Sequence, residues 1–193
     1  MTINAPCKVN LDLTVGGLRA DGFHDIESVF AAFTLCDTLK FEVSEAAGDD
    51  ELQLDTTELP LVFAETLDPD CLPPEKNLVY RAIKLFKRKT GFRKRTVVRV
   101  YKRIPPAAGL GGGSSDAAAA LLAMNALSGE PIAHKDLLRL AAELGSDIPF
   151  FIELISQRRA EGGFRSVAFV SGRGERVKLA AAPLWDIVIV NPG

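Results

Sequence analysis

Pro105-Pro106-Ala107-Ala108-Gly109-Leu110-Gly111-Gly112-Gly113-Ser114-Ser115-Asp116 runs directly into an alanine- and leucine-rich segment, Ala117 to Leu127. A strand-like run, Thr96 to Tyr101, comes just before it, so the local order reads strand, glycine loop, helix. Glycine lacks a Cβ, accepts positive φ and lets the backbone come close to a ligand. A helix start presents unpaired N–H groups and the positive end of its dipole. Together these make an anion site, and phosphate is the commonest biological anion for it. Ser114 and Ser115 stand where N-cap residues belong, with hydroxyls able to cap the helix or to contact a phosphate or its metal.

Two familiar phosphate loops do not fit. The P-loop needs a lysine after its last glycine, and none follows here. The dinucleotide fingerprint needs G-x-G-x-x-G spacing after a first strand, and this loop has other spacing and lies mid-chain.

Bulk properties bound the rest. The chain has 193 residues, 47% hydrophobic and 25% charged, as ordinary soluble globular domains do. A net charge of -2 argues against a nucleic-acid binder, and the basic run Lys87 to Arg95 reads as a solvated helix end. No apolar run approaches the roughly 20 residues that span a bilayer, and the start has no signal-peptide core. Cys7, Cys36 and Cys71 are odd in number and lack C-x-x-C spacing, which suggests reduced thiols and a cytoplasmic protein.

Along the chain, Lys8 to Val15 alternates as a half-buried strand, with Lys8, Asn10 and Asp12 on its polar face. Strands are expected at Ile26 to Leu35 and Thr38 to Val43, with Cys36-Asp37 between them, and a short one at Leu52 to Leu54. Leu59 to Glu75 carries four prolines and reads as loop with one short helical turn. Asn77 caps a helix to about Lys89, and Lys135 to Leu144 is another, ending at Gly145. Glu153 to Arg165 reads as a loop or insertion. Val167 to Val170, Glu175 to Leu179 and Asp186 to Val190 read as strands.

Pro105-x-x-x-Gly109-Leu110-Gly111-Gly112-Gly113-Ser114-Ser115 resembles the phosphate loop of the GHMP kinases. Ala5-Pro6-Cys7-Lys8-Val9-Asn10-Leu11 with Arg19-Ala20-Asp21-Gly22-Phe23-His24 resembles the opening of those members that act on 4-diphosphocytidyl-2-C-methyl-D-erythritol. Asn77-Leu78-Val79-Tyr80-Arg81-Ala82 and Leu144-Gly145-Ser146-Asp147-Ile148-Pro149-Phe150-Phe151 match two further segments, in the family's order.

The resemblance implies an α/β two-layer fold of the ribosomal-protein-S5-like kind. Residues 1–193 would form the family's N-terminal nucleotide-binding domain, with a cut C-terminal domain starting near 183. It implies ATP and Mg²⁺ as reaction partners and a cytidyl-diphosphate sugar alcohol as substrate, phosphorylated on its 2-hydroxyl. Nucleic acid and membrane are not expected as partners, and a dimer stays open. The alternatives are a GHMP kinase for another small alcohol, or a nucleotide-binding fragment that needs a partner domain.

By that resemblance Asp147 is the base and Lys8 the catalytic cation. Asn10, Phe23 and His24 bind substrate. Pro105, Pro106, Ala107, Ala108, Gly109, Leu110, Gly111, Gly112, Gly113, Ser114 and Ser115 hold the nucleotide phosphates, while Asn77, Leu78, Lys102 and Arg103 lie near the adenine. Ser115 is the candidate Mg²⁺ ligand, and no metal carboxylate can be assigned. Without the family, Asp147 before Pro149 reads equally well as a turn residue, and Lys8 as a surface lysine. Two departures stand out. Phe23 replaces a usual tyrosine, and Pro106-Ala107-Ala108 replaces a glycine-richer stretch, where an alanine at positive φ would be strained.

Overall fold

A single long strand, β2 (His24–Ser44), organises the sheet. β1 (Thr2–Leu18) runs antiparallel along one edge of it over nearly its whole length. The other edge is shared. β4 (Arg95–Tyr101) pairs with Thr38 to Ser44, and β5 (Ser166–Gly172) pairs with Ile26 to Ala31. β3 (Glu51–Asp55) adds to β4 in parallel, and β6 (Arg176–Ala181) adds to β5. The order is β3-β4-β2-β5-β6, with β1 on β2. The computed structural model describes residues 1–20, 22, 24–46, 48–59, 73–157, 166–181 and 187–190.

Among the described residues four α-helices lie between the strands: α1 (Leu78–Thr90), α2 (Gly112–Leu127), α3 (His134–Leu144) and α4 (Ile148–Gln157). They cover one face of the sheet, where Leu39, Phe41, Val98, Val100, Ala168 and Val170 are buried. Arg99 and Phe169 point from the other face and are exposed. This is the two-layer α/β arrangement expected. α2 is apolar nearly all round, which suits a helix enclosed by others. Its Ala117, Ala118, Ala119 and Ala120 are fully buried, and their small side chains let α1, α4 and β1 pack close. Phe30 on β2 meets Phe150 on α4 edge to face at 5.2 Å, and Phe150 meets Phe151 at 5.0 Å. Among the described residues no helix is long and apolar enough to cross a membrane.

α1 is capped as its sequence predicts. Asn77 Oδ1 accepts the Val79 N–H at 2.8 Å, and Gly91 closes the other end at φ 73°. Asn77→Ala is expected to cost about 1 kcal/mol, read as a lower denaturant midpoint at unchanged m-value.

Several expectations are corrected. Ile26 to Leu35 and Thr38 to Val43 are one strand, not two, with Asp37 fully buried in its middle. Glu153 to Gln157 belong to α4 rather than a loop: Pro149 is tolerated in a first turn, and Phe150, Phe151, Leu154 and Ile155 bury one face. The rest of that insertion lies outside the described residues, as do 182–186 and the start of the strand expected at Asp186. Ile187 to Val190 is not in a strand and is exposed.

Candidate functional site

The glycine loop forms a cradle whose shape its φ angles dictate. Gly109 and Gly111 take φ 73° and 72°, and Gly111 is the N-cap of α2. Helix α2 therefore starts at Gly112, and Ser114 and Ser115 sit inside its first turn rather than capping it. No side chain caps that end, so the N–H groups of Gly112, Gly113 and Ser114 lack helical acceptors. Backbone donors plus dipole make this an anion site. Ala107 takes φ 56°, the strained conformation that its sequence position suggested.

The loop borders a cleft of about 340 Å³ lined by Leu54, Asn77, Leu78, Lys102 and Pro105 to Ser114. Leu78 comes near enough to Gly113 that a Cβ there would meet it at 3.7 Å. Pro105 to Ser114, Asn77, Leu78 and Lys102 are thus brought together as expected. Arg103 is not: its side chain turns outward to Glu58, at 2.7 Å, with both groups more than half exposed. Ser115 is also absent from the cleft wall. It is fully buried, and its Oγ has no partner among the described residues. Among those residues no three His, Cys, Asp or Glu side chains converge on a metal position.

Lys8 joins this loop to a second set of polar groups. Its backbone N–H donates to Leu110 O at 2.9 Å, stitching β1 to the loop. A Cβ on Gly111 would stand 3.1 Å from Lys8 Cγ and 2.9 Å from Phe151 Cζ, so the lysine stem fills the space that glycine leaves. The Lys8 ammonium lies 3.4 Å from Asp147 Oδ2, donates to Asn10 Oδ1 and sits 4.6 Å above the Phe30 ring. Its side chain is only 8% exposed, against 31% for Asp147, so the carboxylate meets solvent and the cation does not. Asn10 Nδ2 in turn donates to Ser28 Oγ at 3.1 Å, and Ser28 donates to Asp12 O. That chain fixes which way the Asn10 amide faces.

A bulge in β1 between Asn10 and Asp12 makes this possible. Before it, Lys8 pairs with Ala32 and Asn10 with Phe30; after it, Asp12 pairs with Val29 and Leu13 with Ser28. Asp12 therefore turns to the opposite face from Lys8 and Asn10, contrary to simple alternation. Leu13 and Val15 turn towards the face of Lys8 and are 50% and 58% exposed rather than buried. His24 stands at the far end of the hairpin, its Nδ1 3.0 Å from Gly16 O. Ala32, the partner of Lys8, is eight positions further along β2, or about 26 Å on a straight strand. His24 is thus not gathered with Lys8. Phe23 lies outside the described residues.

Under the loop sits a charged cluster that sequence reading missed. Lys102 bonds to Asp37 on β2 and, at 2.7 Å, to Asp116 just past the first turn of α2. All three are nearly or fully buried. Asp37 Oδ1 also accepts the N–H groups of Arg103 and Ile104 at 2.6 and 2.9 Å. Burial pushes the Asp116 carboxyl up to about 7, assisted by Asp37 and opposed by Lys102. Burial alone would lower the Lys102 pKa, but the two carboxylates outweigh it and raise it. Because the folded Asp116 pKa lies above its unfolded value of 3.8, its contribution to stability is complete below about pH 4 and is lost as pH rises towards 7. Asp116→Asn is expected to flatten the stability profile across that window, measured by chemical unfolding at several pH values. Burial likewise pushes the Cys7 thiol up to about 11, so this buried cysteine stays protonated.

Comparison with known proteins gives the same picture. Residues 77–153 match the sequence profile described as the GHMP kinases N terminal domain. The chain is 38% identical to a chloroplastic 4-diphosphocytidyl-2-C-methyl-D-erythritol kinase of Mentha piperita, over 100% of this chain and 42% of that protein. It is 39% identical to the kinase of that name from Pelotomaculum thermopropionicum, over 100% of this chain and 59% of that one. The chain thus spans about half the length of the curated relatives it matches. A crystal structure of 4-(cytidine 5'-diphospho)-2C-methyl-D-erythritol kinase superposes with a TM-score of 0.67 at 36% identity, over 95% of this chain and 56% of that one. Methanococcus jannaschii mevalonate kinase, at 16% identity and a TM-score of 0.54, shares the fold. The strand–glycine loop–helix unit and these relatives agree with the match of residues 77–153 to the GHMP kinase N-terminal domain.

Proposed function

We propose that this domain binds ATP in the glycine loop and takes part in phosphorylating the 2-hydroxyl of 4-diphosphocytidyl-2-C-methyl-D-erythritol, a step towards isoprenoid precursors. The observation that carries the proposal is the position of Lys8. Its backbone holds Leu110 of the loop while its ammonium faces Asp147. Phosphoryl transfer needs a phosphate cradle, charge neutralisation and an oriented hydroxyl, and these three meet at that lysine.

In this reading the free N–H groups of Gly112, Gly113 and Ser114 hold phosphate oxygens. Asn77 and Leu78 border the nucleotide on the far side of the cleft. Asp147 accepts the proton of the substrate hydroxyl as that oxygen bonds to the γ-phosphorus and the bond to ADP breaks. Lys8 balances the charge that builds on the transferring group. Asn10, held by Ser28, orients the substrate beside Lys8. Phe23 and His24 are assigned to the cytidyl group by family resemblance alone.

The test is an assay of ADP release and of phosphorylated product with this chain, alone and supplied with the remainder of a relative. Transfer that requires the cytidyl group supports the proposal. Equal transfer to other small alcohols favours a different acceptor. ATP binding with no transfer in either form identifies a binding module. The relatives' greater length is what makes the second form informative.

A further inference from the structure

The cluster beneath the glycine loop has no part in the chemistry just described, yet it touches both stems of the loop. Lys102 and Ile104 lie on the incoming stem, between the end of β4 and Pro105. Asp116 lies on the outgoing stem, just past the first turn of α2. Asp37 reaches them from the middle of β2, a strand fixed on both edges. We propose that Asp37 is the positioning residue of the phosphate loop, setting the separation of its two stems through Lys102 and through the N–H groups of Arg103 and Ile104.

The geometry supports this in three ways. First, Asp37 uses both carboxylate oxygens: Oδ1 takes two consecutive backbone N–H groups, and Oδ2 takes Lys102. Carboxylate bonds to successive backbone N–H groups define the path of a turn, here the one that aims Pro105 into the cleft. Second, Lys102 carries the link across to Asp116 at 2.7 Å, so one ammonium bridges strand and helix. Third, the loop is packed against this base. A Cβ on Gly112 would lie 3.0 Å from Ile104 Cγ2 and 3.5 Å from Asp37 Oδ2, so the first residue of α2 rests on the clamp.

A consequence concerns Lys102. It lines the cleft and would ordinarily be taken for a phosphate ligand, as the lysine of other phosphate loops is. Its ammonium instead bonds to two buried carboxylates, so its charge is balanced within the protein. Lys102 thus acts through the loop's shape rather than through contact with the nucleotide. Burying two carboxylates around one lysine is costly, and removing the lysine would leave both without a counter-charge. An energetically dear arrangement at this place is consistent with a role in shaping the site.

The inference rests on reading the loop as the ATP-phosphate site, and the experiment separates the two. Amide hydrogen exchange of Gly109 to Ser114 is measured without nucleotide, and ATP affinity by calorimetry, for the wild-type chain, Asp37→Asn, Asp116→Ala and Asp116→Asn. Asp37→Asn and Asp116→Ala are expected to speed loop exchange and weaken ATP binding, each on the order of tenfold. Exchange in the β1–β2 hairpin should stay unchanged. Asp116→Asn keeps an acceptor for Lys102 and is expected to remain near wild type in both readouts. Should Asp37→Asn not fold, the contrast between the two Asp116 variants decides alone. Unchanged loop exchange in Asp116→Ala, or equal loosening of the whole sheet, overturns the clamp. Failure of the wild-type chain to bind ATP overturns the phosphate-site reading, while the nucleotide-free exchange data still judge the clamp.

Discussion

Replacing Asp147 with asparagine is expected to lower the rate of phosphoryl transfer by about 10²–10⁴-fold, the usual share of a positioned general base. Asparagine keeps the side-chain shape but cannot take the hydroxyl proton. It also removes the carboxylate 3.4 Å from the Lys8 ammonium. Lys8 retains Asn10 and the Phe30 ring as neighbours, so its position should persist. The loss should therefore fall on the turnover number, with ATP affinity little changed. Single-turnover measurements at saturating ATP separate the two. A variant with wild-type turnover would return Asp147 to the turn-residue reading that its place before Pro149 equally allows.

The second large effect is expected at Gly111. Two constraints coincide there: a φ of 72°, and a Cβ position 2.9 Å from Phe151 Cζ and 3.1 Å from Lys8 Cγ. Valine at this point combines left-handed strain of about 1–3 kcal/mol with overpacking of similar size. Gly111→Val is expected to abolish ATP binding and to lower stability by several kcal/mol. Gly109→Ala is the control. Gly109 shares the φ, 73°, but nothing lies within 4 Å of its Cβ position. That variant should carry the backbone penalty alone, about 1–2 kcal/mol. Comparable losses in both variants would show that conformation, rather than the approach of Lys8 and Phe151, makes Gly111 necessary.

What the sequence made legible was local. The order strand, glycine loop, helix could be read because each signal lies within a few residues of the next. The Asn77 cap and the strain at Ala107 belong to the same class. Features that depend on distant partners were harder to see. Asp37 looked like a break between two strands because a lone carboxylate seldom sits inside a sheet. What permits it is Lys102, 65 positions away in sequence. The bulge after Asn10 leaves no mark in the alternation of Lys8 to Val15, yet it sends Asp12 away from the site and turns Leu13 towards it. Ser114 and Ser115 resembled caps by residue type, but Gly111 can adopt the left-handed turn that begins α2 three residues earlier. Lys8 and Asp147 were paired by family resemblance, since no spacing rule joins residues so far apart, and the structure places them in contact.

The central claim is that the backbone of the glycine loop receives the nucleotide phosphates. Titrating the isotope-labelled chain with ATP while following its amide resonances tests this directly. The largest shifts are expected at Gly109 to Ser114, with smaller ones at Lys8, Asn77 and Leu78, all saturating at one affinity. Shifts confined to another region, such as the cavity between Met1 to Asn4 and the start of α3, or no shifts at all, would contradict it.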